Sequence, residues 1–218
     1  MQLTRTRTSW LLIAMCLALL AALTSSTIAA QPSTPEGDIV EPPFETFGAL
    51  PWQEPPGAAP WLVEDVTDGD TIRVIESENE GDPDPWWEPV RMIGVDAPER
   101  DGPHTDEECY GTEASAFLTR LLPEGTTVYL QVDDDENDAN QTFNDDGLEV
   151  DDFDRLLVHV FIRADGTDDY YLVTEVLALG GYVDVKDYGD NSYFADELQD
   201  AEDIARDENR GLWGACGT

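Results

Sequence analysis

Apolar and polar positions alternate with period two in five stretches: "WLVEDV" (61–66), "TIRVIE" (71–76), "VRMIGV" (90–95), "TTVYLQV" (126–132) and "RLLVHVFI" (155–162). That period predicts strands, each half buried against a core. The first two are joined around "TDGD", and the third follows a loop containing Gly, Pro and Trp. In "TEASAFLTRLL" (112–122) the period becomes helical, with Phe117, Leu118, Leu121 and Leu122 on one stripe and Pro123 and Gly125 as a stop. "YLVTEVLALGG" (171–181) reads as a second helix capped by Gly180 and Gly181, and "FADELQDAEDIARDENRG" (194–211) as a longer third. These elements predict an α+β, mainly β, fold: a five-stranded Greek-key barrel of the OB type with about three helices. Other α+β arrangements of the same elements stay open.

The remaining segments frame that domain, placed at 61–214. Residues 1–30 read as a secretory signal, with Arg5 and Arg7 before an apolar stretch from Trp10 to Leu23 and small residues at Ala29 and Ala30. The alternative is an uncleaved membrane anchor, although the apolar run is short for a span of about 20 residues. Residues 31–60 carry "PSTPEG", "VEPPFE" and "QEPPGAAP" with no sustained period, and read as a proline-rich extended linker. Residues 133–154 form an acidic insertion before the last strand. Read as a calcium loop from Asp133, it lacks the glycine and the closing glutamate that such a loop needs, so a solvated surface loop is expected.

Charge then changes the picture. The chain holds 48 Asp plus Glu against 11 Lys plus Arg, a formal charge of −37, and Lys186 is its single lysine. Removing residues 1–30 would make the charge two units more negative, because Arg5 and Arg7 go and no acid does. A disordered polyanion is excluded by the 41% of hydrophobic residues arranged in periodic runs. The reading is a folded protein suited to high salt, where screening relieves self-repulsion, exported and monomeric. Cys109 and Cys216 remain after the signal, and in an exported chain such a pair is expected to be bridged. Neither sits in the CxxC spacing that zinc asks for.

Two local patterns carry chemistry. With period two continued to residue 95, Arg91 shares a face with Ile93 and Val95, where a lone cation is costly unless an anion meets it. A structural salt bridge is the plain explanation. Asp70 opens the strand 71–76, and antiparallel pairing of that strand with 90–95 would bring Asp70 and Asp96 to one end of a hairpin. Two adjacent carboxylates suit a hard cation such as calcium, or are simply turn-forming aspartates.

The segments "VTDGDTIRV" (66–74), "VRMIGVDAPE" (90–99), "YGTEASAFLTRLL" (110–122), "DDFDRLLVHVFI" (151–162) and "GLW" (211–213) run in an order that resembles the staphylococcal nuclease-like (thermonuclease) family. The resemblance covers roughly Trp61 to Trp213. It implies an OB-type barrel and a Ca²⁺-dependent phosphodiesterase acting on nucleic acid, DNA or RNA. It further implies Asp70 and Asp96 as calcium ligands with the Ala97 carbonyl as a third, Glu99 as the base that activates water, and Arg91 and Arg155 as the phosphate grip. On that reading the anion that Arg91 awaits is the substrate. The chain departs from the family in carrying Ala97 where threonine is common, and in the acidic insertion before Arg155. For base stacking Tyr182, Tyr188 and Phe153 are candidates, with core or surface packing as the alternative role for each; Trp86 and Trp87 either stack on bases or pack over the barrel end. His159 is expected to be structural, and His104 has no assigned role. A binding-only barrel and a surface calcium-binding domain are the competing functions.

Overall fold

The computed structural model describes residues 44–53, 59–76, 87–102, 106–133, 142–143, 148–186 and 193–217. Along the chain these form α1 (Phe44–Phe47), β1 (Ala59–Val66), β2 (Thr71–Glu76), β3 (Glu88–Met92), β4 (Val95–Asp96), α2 (Gly111–Leu121), β5 (Thr127–Gln131), β6 (Thr142–Phe143) and β7 (Glu149–Val150). They continue with β8 (Leu156–Arg163), β9 (Tyr170–Leu172), α3 (Val173–Gly180), β10 (Asp184–Val185), α4 (Ala195–Asp207) and α5 (Gly211–Ala215).

Five strands close a mixed barrel in the order β3-β2-β1-β5-β8, with β8 returning to pair parallel with β3. The other barrel pairings are antiparallel. Closure leaves no free edge among these strands, and the topology is the expected five-stranded OB-type barrel with α2, α3 and α4 as its three principal helices. Alternation places Ile72, Val74, Val90, Met92, Val128, Val158 and Val160 inside, all essentially inaccessible. Each buried aliphatic side chain contributes about 1.5–3 kcal/mol relative to exposure. Helix α2 covers the barrel with Phe117 and Leu118, and Leu122 follows just beyond its end; α3 is buried along its whole length.

Several elements differ from the sequence reading, each for a local reason. The strand expected over 90–95 ends at Met92, because Gly94 takes φ +84° and turns the chain. Period two therefore does not carry from Arg91 to Val95. Within β3 the buried residues are Val90 and Met92, so Arg91 lies on the opposite face from the apolar one. The helix expected from Tyr171 begins at Val173, since Tyr170–Leu172 pairs with β8 as a strand. The long third helix breaks after Asp207, where Asn209 and Gly211 have positive φ, and α5 is a separate short helix.

The proline-rich stretch is also not all linker. Phe44 and Trp52 are buried in the core; Phe44 stacks on Tyr171 with centroids 4.1 Å apart, and Trp52 donates from Nε1 to Glu175. Aromatic side chains in an otherwise proline-rich run give it something to bury. The ends of the acidic insertion are likewise built in. Asp133 is buried and accepts from both His159 Nε2 at 3.1 Å and the Tyr193 amide at 3.2 Å, while β6, β7 and β8 pair in sequence. His159 is buried against Phe194, as its structural reading expects. The signal segment, the insertion's residues 134–141 and 144–147, Trp86, His104 and Tyr188 lie outside the described residues. Among the described residues, no helix is long and apolar enough to cross a membrane.

Cys109 and Cys216 are bridged, with Cα atoms 5.9 Å apart, tying the segment before α2 to the end of α5.

Candidate active site

The β2–β3 hairpin sets the site. Thr71 stands opposite Arg91 in the register, so Asp70, one residue before β2, lies beside the end of β3. Its carbonyl accepts the Met92 amide at 3.0 Å, fixing the turn. Gly69, just before it, is packed so tightly that a Cβ would fall 2.5 Å from that of Ala97 and 3.1 Å from that of Ala114. The D-G-D spacing is thus what lets the turn seat against the β4 loop and α2.

Arg91 joins the two aspartates. Its Nη1 lies 2.5 Å from Asp70 Oδ2 and its Nη2 3.0 Å from Asp96 Oδ1. Asp70 Oδ2 also accepts the Ala97 amide at 2.7 Å, and Asp70 Oδ1 accepts the Thr71 hydroxyl at 3.0 Å. The hydroxyl in turn is 3.4 Å from Arg155 Nη1. Arg155 is held from its other side by Asp151 Oδ2, at 2.7 Å from Nε and 2.6 Å from Nη2. One chain of polar contacts therefore runs Asp96–Arg91–Asp70–Thr71–Arg155–Asp151, drawing on β2, β3, β4 and the loop before β8. Bidentate and charge-assisted contacts of this kind fix guanidinium planes more tightly than single bonds do.

Electrostatics at the centre favour a proton or another cation. Asp70 is pushed from its ordinary 3.8 up to about 7: burial is the largest cause and Asp68 adds to it, while Arg91 and the Ala97 amide pull the other way. Burial outweighs the pull of Arg91, a guanidinium that also pairs with Asp96. Glu99, at the surface three residues beyond Asp96, is also raised, by partial burial first and then by Asp68, Glu108 and Asp96, against the pull of Arg91. Apart from Glu108, the charges acting on it belong to the same cluster. By contrast Asp151 lies below its ordinary value: burial alone would raise it, but the hydrogen bonds and charge of Arg155, with the Phe153 amide, together outweigh that.

The structure thus brings Asp70, Arg91, Asp96 and Ala97 into direct contact, reaches Arg155 through Thr71, and sets Glu99 at the edge. The partners of Arg91 are the two carboxylates, the ion-pair alternative for that cation. Thr71, Asp68 and Asp151 take part without having been singled out from sequence. Asp68 and Thr71 flank Asp70 in "TDGDT", and Asp151 stands four residues before Arg155, so their adjacency was the available signal. Of the aromatic candidates, Phe153 is 78% exposed with Arg155 5.4 Å from its ring centroid, whereas Tyr182 is half-buried and stacked on Phe117 at 4.0 Å. Trp87 is exposed, with Arg73 4.8 Å from its ring centroid.

Residues 89–215 match the sequence family described as staphylococcal nuclease homologue. Over 148 residues the chain is 30% identical to a thermonuclease of Staphylococcus hyicus, covering 68% of this chain and 72% of that protein. It is 28% identical over 150 residues to endonuclease YncB of Bacillus subtilis (strain 168), covering 69% of this chain and 59% of that one. With the SPbeta prophage-derived endonuclease YokF of the same organism it shares 27% identity over 152 residues, or 70% of this chain and 43% of the relative. Both Bacillus relatives are thus substantially longer than the region they share with this chain.

Proposed function

The chain belongs to the staphylococcal nuclease homologue family, and from that premise we propose that it is an exported, calcium-dependent nuclease hydrolysing phosphodiester bonds of DNA, RNA or both. The observation that carries the reading is the polar chain from Asp96 to Asp151, which gathers two arginines and three aspartates from separate segments at one end of the barrel. A binding-only barrel has no need to bury a carboxylate at such electrostatic cost.

The donor set suits a hard cation. Asp70 and Asp96 both meet the Arg91 guanidinium and offer oxygen donors of the kind calcium takes, Asp68 adds negative charge at Asp70, and a bound cation would offset the cost of burying the Asp70 carboxylate. Among the described residues no group of three or more acidic, His or Cys side chains is placed to hold a metal, so the proposed set is limited to two carboxylates, Asp70 and Asp96, with the Ala97 carbonyl and water. When bound, the ion would supply Lewis-acid neutralisation of phosphate charge.

The chain's own residues do the rest. Glu99, with its affinity for protons raised by partial burial and then by its acidic neighbours, accepts the proton of the attacking water. The new P–O bond forms as the ester bond breaks, and the leaving oxygen departs with its electron pair to take a proton from solvent. Arg155 is oriented for phosphate by Asp151, which takes Nε and Nη2 and leaves Nη1 turned toward the Asp70 end. Arg91 uses one Nη1 and one Nη2 contact on Asp70 and Asp96, and its guanidinium carries further N–H donors with which it can meet a phosphate oxygen. The exposed Phe153 beside Arg155 offers a face for a base. Export is supported by the Cys109–Cys216 bridge, which belongs to an oxidising compartment.

The direct test is cleavage of DNA and of RNA in molar salt with calcium, against the same reaction in chelator. Calcium-dependent product supports the proposal. Binding of nucleic acid with no cleavage under any divalent condition would assign the binding-only function instead.

A further inference from the structure

Glu99, like Asp96 and Ala97, lies outside the barrel strands. It stands three residues beyond the two-residue β4, in a loop whose residues 103–105 lie outside the described ones. Two backbone contacts fix it, both to Glu108. The Glu99 amide donates to Glu108 Oε2 at 3.1 Å, and the Glu108 amide donates to the Glu99 carbonyl at 2.8 Å. These reciprocal bonds close the neck of the 99–108 loop.

The neck is anchored in turn. The Glu108 carbonyl accepts the Gly111 amide at 3.1 Å, at the start of α2, and Gly111 lies so close to the Glu99 carbonyl that any Cβ there would overlap it. Cys109, the next residue, is bridged to Cys216. Cys216 follows α5, which is tied back by the Leu212 amide donating to the Gly181 carbonyl at 2.8 Å. Backbone, helix and covalent bond therefore all converge on the residue that holds Glu99. The charge of Glu108 helps to raise the proton affinity of Glu99, and its hydrogen bond to the Glu99 amide adds a second, geometric contribution.

We propose that Glu108 is a positioning residue for hydrolysis: its carboxylate and its amide together fix the Glu99 backbone, and the Cys109–Cys216 bridge holds Glu108 in register. This rests on the reading of Glu99 as the base. An error of about 1 Å in the placement of a catalytic group costs on the order of 100-fold in rate. A side chain that locks the loop can therefore matter to turnover while touching neither substrate nor water.

The experiment compares Glu108→Ala and Glu108→Gln, each alone and combined with Glu99→Gln, in disulfide-intact protein whose fold is verified by circular dichroism. Glu108→Ala should lower kcat about 10- to 100-fold with KM little changed. Glu108→Gln should restore most of the rate, because its amide oxygen can still accept the Glu99 N–H. On a Glu99→Gln background, Glu108→Ala should add no further loss, the signature of a residue acting through another. Should Glu108→Ala fail to fold, Glu108→Met keeps the chain length, removes the acceptor and serves in its place. Wild-type kcat in Glu108→Ala beside an inactive Glu99→Gln overturns the positioning role and leaves the base intact. So does a loss that multiplies fully on the Glu99→Gln background, or one confined to KM. Near wild-type turnover in Glu99→Gln alone overturns the base itself and this role with it.

Discussion

Asp151 grips Arg155 through one oxygen, Oδ2, which meets both Nε at 2.7 Å and Nη2 at 2.6 Å, while its Oδ1 accepts the amides of Phe153 at 2.9 Å and Arg155 at 3.0 Å. Side chain and loop are thus fixed by the same carboxylate. Asp151→Asn should lower activity about 10-fold by loosening Arg155, and Asp151→Ala more, with Arg155→Ala the worst of the three. The pH dependence follows from the depressed carboxyl. The folded value lies below the ordinary 3.8, so the pair's contribution to stability is fully present above that pH and is lost as pH falls through the folded value. Denaturation midpoints of wild type and Asp151→Asn should therefore differ at neutral pH and converge in acid. A constant difference across that range would show that the charge of Asp151 contributes nothing.

Glu99→Gln keeps the shape of the side chain and removes the proton acceptor. Turnover should drop by about 10²–10⁴, the usual worth of a positioned base, with circular dichroism unchanged. Near wild-type turnover in that folded variant removes Glu99 from the mechanism.

Asp70→Asn imitates the protonated carboxyl that burial already favours, so the fold should survive while calcium binding and cleavage are lost. Asp96→Ala should lose cleavage too, as should chelation of the wild type. Full activity in a chelator-treated sample would dismiss the cation from this site.

The barrel was legible because period two is a direct imprint of a half-buried strand, and β1, β2, β5 and β8 all appear where the alternation predicts them. It misled at Arg91, because alternation counted across Gly94 assumes an extended chain, and φ +84° there breaks the count. Asp70 and Asp96 could be paired from hairpin logic, whereas the tie from Thr71 to Arg155 joins residues 84 apart and depends on barrel closure, which no local period encodes. Packing of Trp52 onto the domain was open from sequence, but its partner Glu175, 123 residues away, is likewise set by no local period.

The Cys109–Cys216 bridge spans 107 residues of sequence, and a loop of that size restricts the unfolded chain by up to about 4.7 kcal/mol in the entropy model. Reduction, or the Cys109→Ser/Cys216→Ser pair, should lower stability by about 2–5 kcal/mol, measured by denaturant melts at fixed salt. Identical midpoints with and without reductant would mean that the packing of α2 and α5 suffices without the covalent bond.

Salt should act on this protein against the trend usual for nucleic-acid enzymes. A formal charge of −37 opposes both the compact state and the approach of a polyanion. Both penalties are long-range, and the screening length falls from about 10 Å at 0.1 M to about 3 Å at 1 M. The favourable contacts from Arg91 and Arg155 act within a few ångströms of the phosphate, and neither guanidinium is fully exposed: their side chains are 12% and 27% accessible. Screening should therefore weaken them less than it weakens the repulsion. Against this stands counterion release, which makes ordinary nucleic-acid binding fall as salt rises, in proportion to the phosphates neutralised. With two arginines at the site that loss is small, so the relief of repulsion should win. Activity is expected to rise from 0.1 M toward molar salt at saturating calcium, with the fold followed by circular dichroism on the same samples. Maximal cleavage at low salt in fully folded protein, declining steadily above it, would mean that local counterion release outweighs the global charge.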